Sequence, residues 1–443
     1  MLKTLRNAFK IKDIRNKICF TFIALLIVRL GSQLPVPGIN RAYFQQWLGL
    51  QTSFGFFDTL TGGSFSQMSI FALNITPYIT SSIIMQLLTI AIPKLEEMQK
   101  EGEDGRNKIQ RYTRYLAVAL ALVESLAFAI GFGRSGLLDD GLNFASVAII
   151  TASFTAGTAF LMWFGEQITE RGVGNGISII LLINIVSGMP GDFRRLYEQF
   201  VSGASSIINA IIAVIVIIGI VVGMTIFIVL LQEGQRKIPV QHTKKVQGRK
   251  MIGGQSSHIP LKVNTAGVIP VIFASSILQF PIVIASFFGV EGSRSGGVGQ
   301  KVLYLLNQNN WMDFSGLDEF KYSLGLLIYI AMILFFAYFY TTITFNPLEI
   351  ANNIKKQGGF IPGIRPGKPT SDYLASVLNK IVFIGAIALT FIAVVPIFFS
   401  GAFGAYVSFG GTSLIIVVGV VLETLKQIES QMLVRHYKGF LSD

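Results

Sequence analysis

Ten runs of mainly apolar residues divide the chain, at about 18–34, 73–92, 114–132, 145–165, 174–190, 207–231, 264–289, 322–345, 374–397 and 405–426. Each is close to the ~20 residues that an α-helix needs to cross a hydrocarbon core. The pattern predicts an all-α polytopic membrane protein of ten transmembrane helices. One stretch breaks it. From Phe54 to Pro93 a segment rich in glycine and hydroxyls leads into an apolar run that still carries Asn74, Thr76, Thr80, Ser81, Ser82 and Gln86. Polar or irregular backbone survives at membrane depth only where protein or a watery cavity covers it. The stretch therefore predicts a half-helix near 58–70 followed by a full helix, both facing an interior.

Composition agrees with that class. Of 443 residues, 51% are hydrophobic and 14% charged, against about 25% charged in soluble domains. A lone cysteine, Cys19, excludes an intramolecular disulfide. His242, His258 and His436 lie far apart, so neither a metal site nor a cofactor is expected. The net charge of +12 sets the topology. With the N-terminus inside, 27 of the 36 Lys and Arg fall in inside segments and 7 in outside loops, while Arg29 and Lys380 lie within spans. The bias places both termini in the cytoplasm. The basic N-terminus and the apolar run from Ile18 resemble a signal peptide, but no small-residue cleavage site follows. The run reads as an uncleaved first span.

The spans divide at residues 191–206 into five and five. Residues 1–190 form the N-terminal half with spans 1–5, 191–206 an external hinge loop, and 207–443 the C-terminal half with spans 6–10. An odd number per half forces the halves to be inverted. A faint echo accompanies this: Pro77 precedes Ser81-Ser82 in the second span of one half, and Pro270 precedes Ser275-Ser276 in that of the other. Two cytoplasmic loops stand out. In 232–263, short β-prone runs between basic pairs suggest a protruding hairpin. In 346–373 a helical start gives way to a Gly/Pro pattern that implies a fixed turn. Positive-inside topology accounts for their charge but not for that geometry, which suggests a docking surface.

Candidate chemistry is thin. Arg171-Gly172-Val173-Gly174-Asn175-Gly176 offers a glycine-rich nest. It lacks a preceding strand and a following acid, and reads better as a tight turn that lets a helix start against its neighbours. No nucleophile–base–acid set is evident, so an enzyme is not expected. Glu124 lies mid-span and Arg29 toward the outer end of the first span, and such groups default to functional hypotheses. Glu124, Thr80 and Asn264 suit a polar helix–helix seam. The Asn74-Ile75-Thr76 sequon sits at the edge of an apolar helix and is discounted. Three classes remain: a channel with an aliphatic constriction, an inverted-repeat secondary transporter with convergent polar groups at the midplane, and a membrane enzyme or insertase with a hydrophilic groove.

Long segments in order along the chain decide among them. They include Pro35–Gly38, Thr61–Ser64, Ser69–Ile84, Glu101–Arg106, Tyr112–Arg114, Gly165–Ser178, Leu261–Pro270, Phe360–Gly367 and Gly410–Leu414. In these the chain resembles the SecY/Sec61 family of protein-conducting channels over essentially its whole length. The resemblance implies two inverted five-helix halves around a central hourglass pore, closed by a ring at Ile75, Ile79, Ile177, Leu181, Ile272 and Ile416. Leu181 stands where the family often has Ile, a swap that keeps the volume. It implies a plug at about 56–70, including Thr61, Gly62, Gly63, Ser64 and Phe65, and a lateral gate with Thr80, Glu124 and Asn264. Arg249, Lys250 and Arg365 match contacts for the SecA ATPase and the ribosome, where basic tips suit ribosomal RNA phosphates. The implied function is translocation of unfolded polypeptides across the bacterial cytoplasmic membrane, with sideways release of transmembrane segments into lipid. The implied partners are SecE, SecG, SecA, the ribosome, nascent chains and membrane lipids. The glycines and hydroxyls of the plug suggest a weakly packed stopper.

Overall fold

The computed structural model describes residues 9–50, 58, 61–202, 207–242, 245–247, 250–252, 256–287, 290, 292–293, 296–312, 323–403 and 411–439. It divides into two compact units. The first comprises Met1–Leu196, Ile282–Glu291 and Val420–Asp443, the second Tyr197–Pro281 and Gly292–Gly419. Among the described residues, the apolar runs fall mainly on helices. Among the described residues six helices are long and apolar enough to cross a membrane. The bent pair Thr76–Ala91 and Pro93–Lys100, at 101°, makes a seventh if counted as one span. The bend follows from Pro93, which drives Ile92 into extended geometry and ends the helix there.

The first unit contains α1 (Lys12–Gly31), α2 (Arg41–Leu50), α3 (Thr76–Ala91), α4 (Pro93–Lys100), α5 (Glu103–Arg134), α6 (Phe144–Arg171) and α7 (Gly176–Leu196). Polar bonds tie its spans together. Ser81 Oγ of α3 donates to the Thr113 carbonyl of α5 at 2.6 Å. Ser125 of α5 meets Thr155 of α6 at 3.0 Å, and Arg114 Nε pairs with Glu166 at 2.5 Å. With lipid as apolar as leucine, such bonds and close packing hold spans together.

Two expectations change here. The segment 191–206 is helical through Ser202, where α7 passes into a π turn, Tyr197–Ser202. Hydropathy ends at Pro190 because Asp192, Arg194, Arg195 and Glu198 are polar, yet nothing after Pro190 breaks a helix. The half-helix near 58–70 is also shorter than its span implies. Asp58 and Thr61 are helical, and Gly62 to Ile75 runs as turns with one bridge at Ser69. Gly62 and Gly63, at φ +62° and +81°, end it.

The second unit holds α8 (Ile207–Glu233), α9 (Ile269–Phe287) as far as Pro281, α10 (Val298–Leu306), α11 (Leu324–Thr344), α12 (Pro347–Lys356) and α13 (Lys368–Phe403), with the first residues of α14 (Gly411–Gly439). In α8 the apolar residues go all the way round, and Ile208, Ile215 and Leu230 are exposed, as suits a helix bathed in lipid. The hairpin expected in 232–263 is present. Strand β1 (Gln235–His242) pairs antiparallel with β4 (Ser256–Lys262), and the short β2 (Lys245–Gln247) and β3 (Lys250–Ile252) pair beyond them. Ile238 and Val240 alternate inward along β1. They join Leu261, Ile361, Leu374 and Val377 in a small core of their own. Strand β5 (Gly359–Phe360) adds to the other edge of β1, so both cytoplasmic loops share one sheet.

A hydrophobic core of the first unit gathers around the segment between α2 and α3. Phe65 and Met68, each 1% exposed, sit among Phe44, Phe128, Phe132, Leu137, Ile150 and Phe154. Phe65 meets Phe44 and Phe128 edge-on at 5.7 Å each. Truncating Phe65 to Ala should cost about 3–5 kcal/mol. A lowered thermal unfolding midpoint of the purified protein in detergent checks this; an unchanged midpoint would mean that the aromatic cluster carries no stability.

Candidate functional site

The residues expected to plug the pore turn out to be firmly packed, which corrects the weakly packed stopper. Thr61, Gly62, Ser64 and Phe65 are buried, and among Thr61–Phe65 only Gly63 is half-exposed. The hydroxyls are not loose polarity. Thr61 Oγ1 donates to the Asp58 carbonyl and accepts from Phe65 N. Ser66 Oγ donates to the Gly63 carbonyl, and Ser69 Oγ to that of Ser64. Asp58 Oδ1 accepts from Ser66 N at 2.9 Å. Side chains thus pair backbone groups that turns leave without ladder partners.

The far end of the segment is strapped to the loop after α1. Val36 N donates to the Met68 carbonyl at 2.9 Å, and Ile70 N to that of Leu34 at 3.0 Å. Arg41 Nε donates to the Gln67 carbonyl at 2.8 Å. Met68 and Asn74 hold positive φ, +46° and +51°. Asn tolerates that geometry and Met does so only under constraint. A Cβ on Gly157 of α6 would run into the Ile70 carbonyl, so the segment lies directly on that helix.

The other end rests on α7. Ile177, Leu181 and Asn184 recur at helical spacing on one face. A Cβ on Gly62 would collide with the Asn184 carbonyl oxygen, at a backbone φ of +62° that already favours glycine. The Gly62 carbonyl faces Arg29 Nη1 at 3.3 Å and Ser187 Oγ at 3.4 Å. Beside it, Asn184 Nδ2 donates to Asn74 Oδ1 at 3.1 Å in a buried contact. Asn74 immediately precedes Ile75, which is fully buried as the N-cap of α3, and Asn184 lies one turn beyond Leu181. The amide pair therefore links α3 and α7, the helices that carry Ile75, Ile79, Ile177 and Leu181.

The start of α7 is fixed by the glycine-rich turn. Gly172 N bonds to the Ile168 carbonyl, Val173 N to Thr21 Oγ1, and Gly176 N to Thr169 Oγ1. Asn175 Oδ1 caps the N–H groups of Ile177 and Ser178. These donors are already used, which makes the stretch a structural turn and not an anion nest.

A family model described as SecY matches residues 69–425. The chain belongs to the SecY family. The protein translocase subunit SecY of Bacillus subtilis (strain 168) is 43% identical to it over 452 residues, with 100% of both chains covered. Among solved structures, one described as "The structure of a protein conducting channel" superposes with a TM-score of 0.67 at 18% identity, covering 94% of this chain and 92% of the other. A second, described by the role of the SecY plug domain in stabilising the closed state of the channel, gives a TM-score of 0.65 with the same coverage and identity. The SecY fold is thus shared: a mainly helical polytopic membrane architecture.

The remaining candidates in this SecY-family chain lie as follows. Thr80 Oγ1 bonds within its own helix, to the Thr76 carbonyl, and Glu124 sits half-buried on α5. In the second unit, Ile272 is half-buried on α9 and Ile416 buried on α14. Asn264 is buried before α9, and its Nδ2 has no partner among the described residues. Arg365 is exposed in a turn set by Gly363 and Gly367 at φ +81° and +105°, its carbonyl accepting from Thr370 Oγ1. Lys250 begins the tip strand β3, and Arg249 lies outside the described residues. Asn184, Ser187 and Arg41 escaped sequence reading. Asn184 alone left a signal, as a lone amide inside an apolar run. Asn184→Ala should remove the bond to Asn74 and destabilise the first unit by about 1 kcal/mol. Thermal unfolding of the purified channel against wild type measures it, and equal midpoints would show the pair to be energetically silent.

Proposed function

We propose that this chain is the central subunit of a protein-conducting channel in the bacterial cytoplasmic membrane, with both termini cytoplasmic. It passes unfolded polypeptides across the membrane and releases transmembrane segments sideways into lipid. The observation that carries the reading is the seating of a glycine-tipped, internally bonded segment against α7, one turn beyond Leu181. A secondary transporter would need convergent polar groups where this chain has isoleucine and leucine. The sequence relationship to protein translocase subunits supports the channel class.

In this reading, residues 1–190 and 207–443 are inverted halves flanking 191–206. Ile75, Ile79, Ile177, Leu181, Ile272 and Ile416 act as the constriction. Aliphatic side chains gate by dewetting, and they ask nothing of the sequence that passes. Residues 56–70 act as the plug. Thr80, Glu124 and Asn264 line the lateral exit, where modest polarity lets helices part without exposing charge to lipid. The chain performs no catalysis and carries no cofactor, so the driving work comes from SecA or from chain elongation at the ribosome. SecE and SecG complete the membrane complex. Arg249, Lys250 and Arg365 dock SecA and ribosomal RNA, and the sheet that unites the two cytoplasmic loops, with its own core, supports such a role for Arg365.

Ile79→Asn should loosen the constriction. Ion efflux from vesicles holding the reconstituted channel should rise, and chains with defective signal sequences should be accepted; efflux at the wild-type level would sink the assignment of Ile79. Arg365→Glu reverses charge in an exposed turn without touching the core. SecA-driven transport should fall while assembly with SecE stays intact. Full transport by this variant would remove Arg365 from the docking surface.

A further inference from the structure

Arg29 projects from the last turn of α1, whose end is fixed by Ser32 Oγ donating to the Arg29 carbonyl at 2.7 Å. Arg29 is half-buried at the C-terminal end of this helix, which the sequence reads as the first span. Among the described residues no carboxylate pairs with it; its bond runs to the Gly62 carbonyl at 3.3 Å. Ser187 also approaches that oxygen, at 3.4 Å, but its hydroxyl has a single proton and sits 2.7 Å from the Asn184 carbonyl. The shorter contact takes the proton. Arg29 is therefore the principal donor to the tip of the plug, and an ionised donor bonds more strongly than a neutral one.

The segment divides into a root and a tip. The root, Phe65 to Ile70, is held by buried aromatic and apolar contacts and by backbone bonds of 2.9–3.0 Å to residues 34–36. The tip, Gly62, is held to α7 by fit and to α1 by one charged donor. Gly63 lies between them at φ +81°, with only Ser66 Oγ near the place where a Cβ would stand.

We propose that Arg29 is the positioning residue that latches the plug shut, by donating to the Gly62 carbonyl and holding the tip in its seat on α7. The proposal rests on the channel reading above. It makes a first-span arginine, outside both plug and constriction, a determinant of how readily the resting channel opens.

Arg29→Gln, Arg29→Lys, Gly62→Ala, the double variant Arg29→Gln/Gly62→Ala and Ser187→Ala test it in the complete channel with its partner subunits. The readouts are ion efflux from vesicles and translocation of a secretory chain with a defective signal sequence. Loss of one charge-assisted bond should raise resting efflux by about ten-fold in Arg29→Gln. Arg29→Lys, which keeps the charge, should fall between wild type and Gln, and Ser187→Ala should stay close to wild type. Gly62→Ala, which unseats the tip from the other side, should leak as Arg29→Gln does. Adding Arg29→Gln to it should change nothing further, because both act on one contact. Should Arg29→Gln fail to assemble, Arg29→Lys and Gly62→Ala alone still decide the matter. Wild-type efflux in either Arg29 variant that assembles, or fully additive effects in the double variant, overturns the latch. Ile79→Asn serves as the control: if it leaks while Arg29→Gln does not, only the latch fails, and if neither leaks the channel reading fails with it.

Discussion

Backbone that leaves helical geometry at membrane depth has to find every hydrogen-bond partner inside the protein. Residues 61–75, turns that are largely buried in protein, face the same demand and show what it produces. Their turns cannot supply ladder partners, so Thr61, Ser66, Ser69 and Asp58 supply them from side chains. The loop after α1 supplies two more at Leu34 and Val36. Once the polar groups are satisfied, Phe65 and Met68 can be buried without penalty, and the segment becomes part of the core. A polar composition and a dense packing are thus two sides of one requirement.

The same requirement shapes the two helices that the segment meets. Helix α7 starts at a glycine turn whose N–H groups are taken by Thr21, Thr169 and Asn175, and this places Ile177 and Leu181 on one face. Helix α3 starts with Pro77 in its first turn, where a missing N–H costs nothing. Helix α9 repeats that device with Pro270. In the second span of each half, a serine past the proline reaches a neighbouring helix: Ser81 to the Thr113 carbonyl, Ser275 to the Tyr329 hydroxyl. The faint echo in sequence corresponds to a shared way of starting and fastening a span. Where no such task exists, as along α8, the chain is apolar on every side.

Much of this was legible from the sequence, because the relevant signals are local. The apolar runs located the helices, and the glycine spacing at 172–176 and 363–367 marked turns that the structure contains. The hairpin in 232–263 followed from alternation between basic pairs. What escaped was of two kinds. Hydropathy measures partition into lipid, not helicity, so the helix beyond Pro190 was read as a loop. Partners far apart in sequence leave no local trace. Nothing around Arg29 indicates that its donor meets Gly62, and nothing around Thr61 reveals whether its hydroxyl faces water or its own backbone. The segment expected to act as the plug was therefore given the wrong texture, loose instead of anchored.

The contrast between root and tip gives that texture a physical logic. A stopper held wholly by buried apolar contact would have to expose those contacts to open, and a stopper held wholly by backbone bonds at membrane depth would leave orphaned groups behind. The tip avoids both costs. Arg29 is only half-buried and stands in the last turn of α1, so in the proposed latch its guanidinium would regain water on release, and the Gly62 carbonyl would do the same. The bond is strong while water is excluded and cheap to exchange once water enters. The root cannot make that exchange, since Phe65 would carry its ring out of an aromatic cluster. In the proposed latch, reversible closure would be served by placing the charged, rehydratable contact at the moving end and the apolar, irreplaceable contacts at the fixed one.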